Sequence, residues 1–257
     1  MYTKDSWRFL DLKVNDAYTN MAIDESLVKA RGEGKSPDTL RLYMWKPSAV
    51  TIGYFQSVED EVDVEACKRL GININRRISG GGAVLNSSYG EITYSIVTSE
   101  DNPLVSRDIT DSYRLLCDGI IKALSILGIE SEFKPINDVV VKGKKISGNA
   151  QIRRYGAVLH HGTILIDFNA QEMFTVLKVS QEKLKDKIIK QAEERVTTIR
   201  RELGRDVSFE EVRRALYKGF RRSLGVELKP GDLTRYEEEL VYEYRKKYAS
   251  SEWIYRR

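Results

Sequence analysis

Three apolar runs joined by two tight turns lie between Asp138 and Asp167, and no other stretch of the chain constrains the fold as much. Residues 138–141 and 144–152 flank Gly143, and residues 157–167 follow the turn Arg154-Tyr155-Gly156. Connections this short join antiparallel neighbours, so the segment reads as a meander. Upstream, residues 20–30 read as a helix, followed by a loop through Gly32, Gly34 and Pro37. Residues 39–45 and 49–55 read as the two strands of a hairpin, separated by Lys46-Pro47-Ser48, where proline stops the ladder.

From residue 111 to 127 the apolar positions are Tyr113, Leu116, Cys117, Ile120, Ile121, Leu124 and Leu127. That is the three-and-four spacing of a half-buried helix, which Gly128 would end, with Cys117 on its core stripe. Farther on, Ser208 with Glu211 and Thr234 with Glu237 are capping-box pairs, each opening an amphipathic run that stops near Gly225 or Lys247. There is no repeat and no low-complexity linker. The expected organisation is a mixed α+β body over residues 1–180, with a helical segment over 181–257 packed on the same domain.

The chain's 257 residues suffice for a core that needs no disulfides. Its two cysteines, Cys67 and Cys117, and the lack of a signal pattern after Met1 lead us to expect a reducing cytoplasm. No run approaches the roughly 18 apolar residues that span a bilayer, so no membrane is expected. With 42 Lys and Arg against 38 Asp and Glu, the net charge of +4 does not call for nucleic acid. From Gln171 onward the chain holds 21 basic and 16 acidic residues, which reads as solvated helix faces or as a weak hint of an acidic protein partner.

Chemistry is concentrated in three places. Arg77 precedes Ile78 and Ser79, and then Gly80, Gly81, Gly82, Ala83, Val84 and Leu85 follow. Successive glycine amides can converge on an anion while Arg77 neutralises it, or the triplet is merely a mobile turn. The spacing is neither a P-loop nor the dinucleotide fingerprint. Next, Asn137 and Asp138 precede a turn after which strand alternation places Lys145, Ser147 and Asn149 on one face, with Gly148 leaving room beside the ammonium. Third, His160 and His161 open an apolar strand and must face opposite sides, which suits one packed and one pocket histidine better than zinc.

In order along the chain, several segments resemble the lipoate-protein ligase catalytic domain, of the superfamily shared with biotin-protein ligases and octanoyltransferases. They are the stretch from Asn20 to Glu25, Leu40 to Tyr43, Val50 to Gln56, the glycine loop, Asn137-Asp138, Lys144 to Gln151, and His160 to Thr163. The resemblance implies an α+β fold with a curved, mixed or antiparallel sheet flanked by helices. It also implies an ATP-dependent lipoate-protein ligase that activates lipoate or octanoate as acyl-AMP and passes it to a lysine of a lipoyl domain. Lys145 would contact the α-phosphate and carboxylate oxygens. Arg77 and residues 80–85 would cover the acyl tail and phosphate, and Asn137 and Asp138 would hold the nucleotide and magnesium, Asp138 as the metal ligand. Ser147, Gly148 and His161 would line the pocket, and apolar strands around Ile52, Val84 and Ile164 would supply a dry tunnel.

The acceptors implied are the E2 component of a 2-oxoacid dehydrogenase or the glycine-cleavage H protein. A ligase of this family acting alone carries a further C-terminal domain, so a separate accessory protein is expected here. Trp253 and Ile254 would then either contact it or pin the tail to the body. One departure stands out: Asn86-Ser87 follow the glycine loop where many relatives have His-Asp. The alternatives are an octanoyltransferase fed by an acyl carrier protein through a cysteine thioester, which requires a thiol near Asn137, or a non-enzymatic lipoyl-binding module.

Overall fold

The computed structural model describes residues 6–178 and 184–256. In chain order the body runs β1 (Ser6–Asn15), α1 (Ala17–Gly32), β2 (Thr39–Trp45), β3 (Ala49–Ile52), α2 (Val58–Glu61), α3 (Val64–Leu70), β4 (Asn73–Arg76), β5 (Val84–Asn86), β6 (Glu91–Ser99) and α4 (Ile109–Ile126). It continues through β7 (Glu132–Lys134), β8 (Asp138–Val141), β9 (Lys144–Arg154), β10 (Ala157–Leu165), α5 (Ala170–Val176), α6 (Lys185–Arg195) and α7 (Ile199–Leu203). The tail holds α8 (Phe209–Leu224), β11 (Glu227–Pro230), α9 (Arg235–Ala249) and α10 (Ser251–Ile254). The fold is α+β, with eight strands in a mixed sheet ordered β11-β1-β2-β6-β10-β9-β8-β7 and a small sheet ordered β4-β3-β5.

The meander expected over residues 138–167 is present, as β8, β9 and β10 pair antiparallel in sequence order. Both connections turn through two residues of positive φ, Lys142-Gly143 and Tyr155-Gly156, the hand that matches strand twist. The hairpin expected from β2 and β3 is absent. Strand β2 is buried along its whole length and takes β1 and β6 as its two neighbours, so it has no free edge. Strand β3 instead leaves for the small sheet, pairing β4 parallel and β5 antiparallel.

Alternate residues of β2 explain how helices cover both faces of the large sheet. Leu40, Leu42 and Met44 pack with Leu116, Ile120, Leu216 and Phe220 of α4 and α8. Tyr43 and Trp45 pack on the other side with Met21, Leu27 and Val28 of α1 and Tyr248 of α9. Helix α4 begins at an Asp108 cap that accepts from the Asp111 amide, one turn before the stripe read from sequence. Thr234 and Glu237 form the full reciprocal capping box, whereas at Ser208 the Glu211 carboxylate pairs with Arg205 at 2.6 Å.

The expected boundary at residues 180 and 181 lies outside the described residues. The tail nonetheless contributes to the same sheet, because β11 extends its edge by pairing parallel with β1. Trp253 and Ile254 are buried, so they pin the tail to the body and offer no exposed contact to a partner. Arg8 of β1 meets Glu237 of α9 at 2.6 Å with both side chains sealed from solvent. Ser36 and Thr39 satisfy the remaining polar atoms. Removing one member of such a pair strands the other charge, so Glu237→Ala should cost about 3–5 kcal/mol in urea unfolding, with Arg8→Met/Glu237→Leu recovering most of the loss.

Candidate active site

Arg76 and Arg77 leave the end of β4 in opposite directions, and both are buried. Arg77 donates to Thr51 O at 3.0 Å and, through Nη2, to Gly80 O and Gly82 O at 2.8 Å each. Its charge therefore holds the glycine loop's own carbonyls in place, rather than projecting freely at a ligand. Burial pulls its pKa down to about 10, which leaves it cationic near neutrality. Gly81 takes φ 97°, and a Cβ there would stand 2.8 Å from the Arg77 guanidinium, so this position needs glycine twice over. Among the described residues, the amides of Gly80, Gly81 and Gly82 donate to no backbone carbonyl. Clamped carbonyls and uncommitted amides are what an anion nest requires.

Below the loop is a cavity of about 430 Å³, within the range of about 300–1,000 Å³ of small-molecule sites. Of the residues named from sequence, Arg77, Gly81, Gly82, Ala83, Val84, Leu85, Asn137, Lys145, Gly148 and His161 line it. Gly80, Asp138 and Ser147 do not; Gly80 faces a separate groove with Tyr54 and Phe55. Ile52 and Ile164 are sealed in the core, and the apolar walls come from Met21, Tyr43, Trp45, Leu165 and Phe168 together with Val84.

Ser147 departs from its expected place because β9 carries a bulge. Val139 opposes Ser147 and Val140 opposes Lys145, so Ile146 is an extra residue and strict alternation fails. Ile146 and Ser147 are both fully buried, while Lys145 and Gly148 reach the cavity. The Lys145 side chain is 41% exposed and pairs with Asp138 at 2.7 Å. A Cβ at Gly148 would come within 2.6 Å of that ammonium, so only glycine lets the lysine lie across this strand. Asn137 and Asn149 clasp each other's backbone carbonyls, and Asn149 also accepts from the Tyr94 hydroxyl at 2.7 Å.

The two histidines face opposite ways. His160 is buried against Tyr94, Tyr113 and Cys117, and burial lowers its pKa to about 3, so it stays neutral. His161 lies on the cavity wall, its Nδ1 3.3 Å from Asp24 and its Nε2 2.7 Å from the Ser79 hydroxyl. An ionised carboxylate only accepts, so Nδ1 carries a proton, and in the neutral tautomer this selects, Nε2 accepts from the Ser79 hydroxyl. Asp24 also takes Arg41 at 2.6 Å, Ser95 at 2.9 Å and Tyr43 at 3.1 Å. Burial pushes its carboxyl up, but Arg41 and His161 more than offset this and hold it below the usual range. The roles of Asp24 and Ser79 were missed from the sequence, although an acidic pair, Asp24-Glu25, between the apolar residues 21–23 and 27–28 was a signal of buried partners.

Over residues 16–221 the chain matches the model of the lipoyl protein ligase A/B catalytic domain. The chain belongs to that family. It is 38% identical to octanoyltransferase LipM of Kyrpidia tusciae, with 98% of this chain and 99% of that protein covered. Octanoyltransferase LipM of Clostridioides difficile is 35% identical, with 97% and 98% covered. A chain from the structure of a bipartite lipoate protein ligase and its E2 lipoyl domain from Thermoplasma acidophilum superposes with a TM-score of 0.87 at 34% identity, covering 98% of this chain and 96% of that one.

These relatives bear out the family and its α+β fold, but they overturn the reading as an ATP-dependent ligase. The octanoyltransferases LipM align with this chain over nearly the whole of both lengths, and with the ligase assignment go the expected ATP and magnesium. Asp138, the expected magnesium ligand, is paired with Lys145. Among the described residues no group of three or more His, Cys, Asp and Glu is placed to hold a metal. No described helix is long and apolar enough to cross a membrane.

Glu91 also lines the cavity, fully enclosed beside Thr93, and burial pushes its carboxyl up to about 8 from an ordinary 4.5. Between those values the folded chain keeps a proton that the unfolded chain releases, so this residue lowers stability as pH rises through the window. Glu91→Gln should therefore be more stable than wild type at pH near 8, with the gap closing towards the acidic end. Urea midpoints that track each other across this range would count against a protonated Glu91.

Proposed function

We propose that this protein is an octanoyltransferase, carrying an eight-carbon acyl group from an activated thioester to the lysine ε-amine of a lipoyl domain. The observation that carries the reading is the alignment, essentially end to end, with octanoyltransferases LipM. The site's chemistry supports it. A largely apolar cavity suits an acyl tail, and the charged end of Lys145 lies among its lining residues, partly open to solvent, where an incoming lysine could reach a carbonyl.

A thioester carbonyl is already activated, so transfer to an amine needs no nucleotide. Negative charge then grows on the carbonyl oxygen in the transition state. The Lys145 ammonium and the uncommitted loop amides are the groups suited to receive it. Asp138 keeps Lys145 oriented, and Gly148 keeps its path clear. An acyl carrier protein suits the donor role, and the E2 component or the H protein suits the acceptor role. The named likeness to a ligase and its E2 lipoyl domain supports such an acceptor. The accessory protein was tied to adenylation and has no part in this reading. Two buried free thiols fit a cytoplasmic setting.

The test is to mix purified chain, an octanoylated carrier protein and a lipoyl domain without ATP, and to follow the acceptor by mass spectrometry. Octanoylation is expected, with Lys145→Ala slower by about 10²–10³-fold. Gly148→Ala should fold normally yet lose much of the rate, because its methyl group displaces the Lys145 side chain. Octanoylation that occurs only with ATP and free octanoate would sink the proposal.

A further inference from the structure

We infer, on the basis of the octanoyltransferase reading, that the groove beyond Gly80 holds the phosphopantetheine arm of the donor carrier protein and leads its thioester to the cavity. The groove has a volume of about 570 Å³ and is separate from the cavity, yet the glycine loop borders both. Gly80 faces the groove, and Gly81 and Gly82 face the cavity. A Cβ at Gly80 or Gly82 would meet nothing within 4 Å, so the loop between the two spaces carries no bulk and a slender chain can cross it.

The groove offers three kinds of contact. Its walls are partly apolar, with Phe55 89% exposed, Ile109 60% exposed and Tyr54 meeting the Phe55 ring edge-on at 5.0 Å. One side is an open stretch of sheet edge. The Asn149 amide points away from β10, towards Asn137 O, so by alternation the backbone groups of Gln151 and Arg153 point the same way. Strand β8 pairs no further along β9 than Gly148, so neither residue has a strand neighbour on that side. The Tyr113 hydroxyl takes a hydrogen bond from the Gln151 backbone, but among the described residues the Gln151 carbonyl and the Arg153 amide meet no backbone partner there. The third contact is charge: the described lining includes Arg153 and Arg154 and no carboxylate. The Arg154 side chain is 37% exposed, and its approach to Glu25, at 3.8 Å, is too long for a hydrogen bond.

A carrier protein holds its acyl group on the sulfur of an arm that carries amides and methyl groups and joins the protein through a phosphate. The unfilled edge groups can pair with the amides as they would with an added strand. The exposed aromatic and aliphatic side chains cover the methyl-bearing part, and guanidinium groups suit the phosphate. The acceptor lysine is itself a cation, which two arginines repel, so the groove fits the donor and not the acceptor.

The experiment uses the full chain, octanoylated carrier protein and lipoyl domain, with free phosphopantetheine and dephosphorylated pantetheine as inhibitors. Phosphopantetheine should compete with the donor, and pantetheine should do so about tenfold less well, the worth of one charge-assisted hydrogen bond. Phe55→Ala should weaken inhibition by both compounds, and Arg153→Gln/Arg154→Gln should remove the preference for the phosphate. Both variants should raise KM for the carrier protein with kcat kept within about twofold. Phe55 lies outside the core, so its truncation leaves a folded chain on which the comparison stands. Failure of phosphopantetheine to inhibit, equal inhibition by the two compounds, values unmoved by Phe55→Ala, or a KM that rises for the lipoyl domain in place of the carrier would overturn the inference. A wild-type chain that never transfers octanoyl from the thioester would instead overturn the octanoyltransferase reading on which it rests.

Discussion

A carboxylate shut away from water must be surrounded by donors, and the arrangement of this molecule turns on one such group. Asp24 projects from α1 into the sheet, where Arg41 and Tyr43 of β2, Ser95 of β6 and His161 of β10 converge on it. Leaving any of these donors unmade would expose the charge to a low-dielectric interior, so helix and strands are held in one register. His161 extends the chain of bonds to Ser79, at the foot of the glycine loop. The position of the loop is thereby linked to the core.

Two arginines complete the frame from the opposite side. Arg76 donates to the carbonyls of Tyr54 and Gln56, and to those of Trp253, Ile254 and Arg256 near the chain end. Trp253 returns a bond from its indole nitrogen to Arg76 O. Arg77 holds the loop carbonyls. Guanidinium groups suit this task because one planar fork satisfies several carbonyls at once, including the orphan carbonyls at a helix end. The tail and the loop are therefore secured by two neighbouring residues, the last of β4 and the one that follows it.

The chemistry follows from what this frame presents. A fixed ammonium and uncommitted amides stabilise negative charge on any acyl carbonyl, whether its leaving group is a phosphate or a thiolate. That is why the loop and lysine motifs alone, from which an adenylate-forming ligase was expected, do not exclude thioester transfer. The leaving group is set by the donor, which the loop and lysine do not distinguish. Relatedness to octanoyltransferases LipM over nearly the whole of both chains is what favours the second reading.

Local order was well marked in the residues. Turn chemistry at Gly143 and Gly156, the α4 stripe and the Thr234 cap depend on nearest neighbours, and each is found where the pattern placed it. Most of the candidate site was legible for the same reason, since the glycine loop and Lys145 are contiguous motifs. The failures share a different cause. Strand β3 left β2 because partners from distant parts of the chain had already filled both edges, and Ser147 was turned inward by a bulge against β8. The sequence by itself determined most of the element types, the family and most of the residues that line the cavity, because these depend on short-range pattern and composition. Only the tertiary structure decided that Arg77 clamps its own loop, that Asp24 anchors His161 and that neither thiol reaches the cavity, because burial and partnership between residues far apart in sequence exist only once the sheet has closed around them.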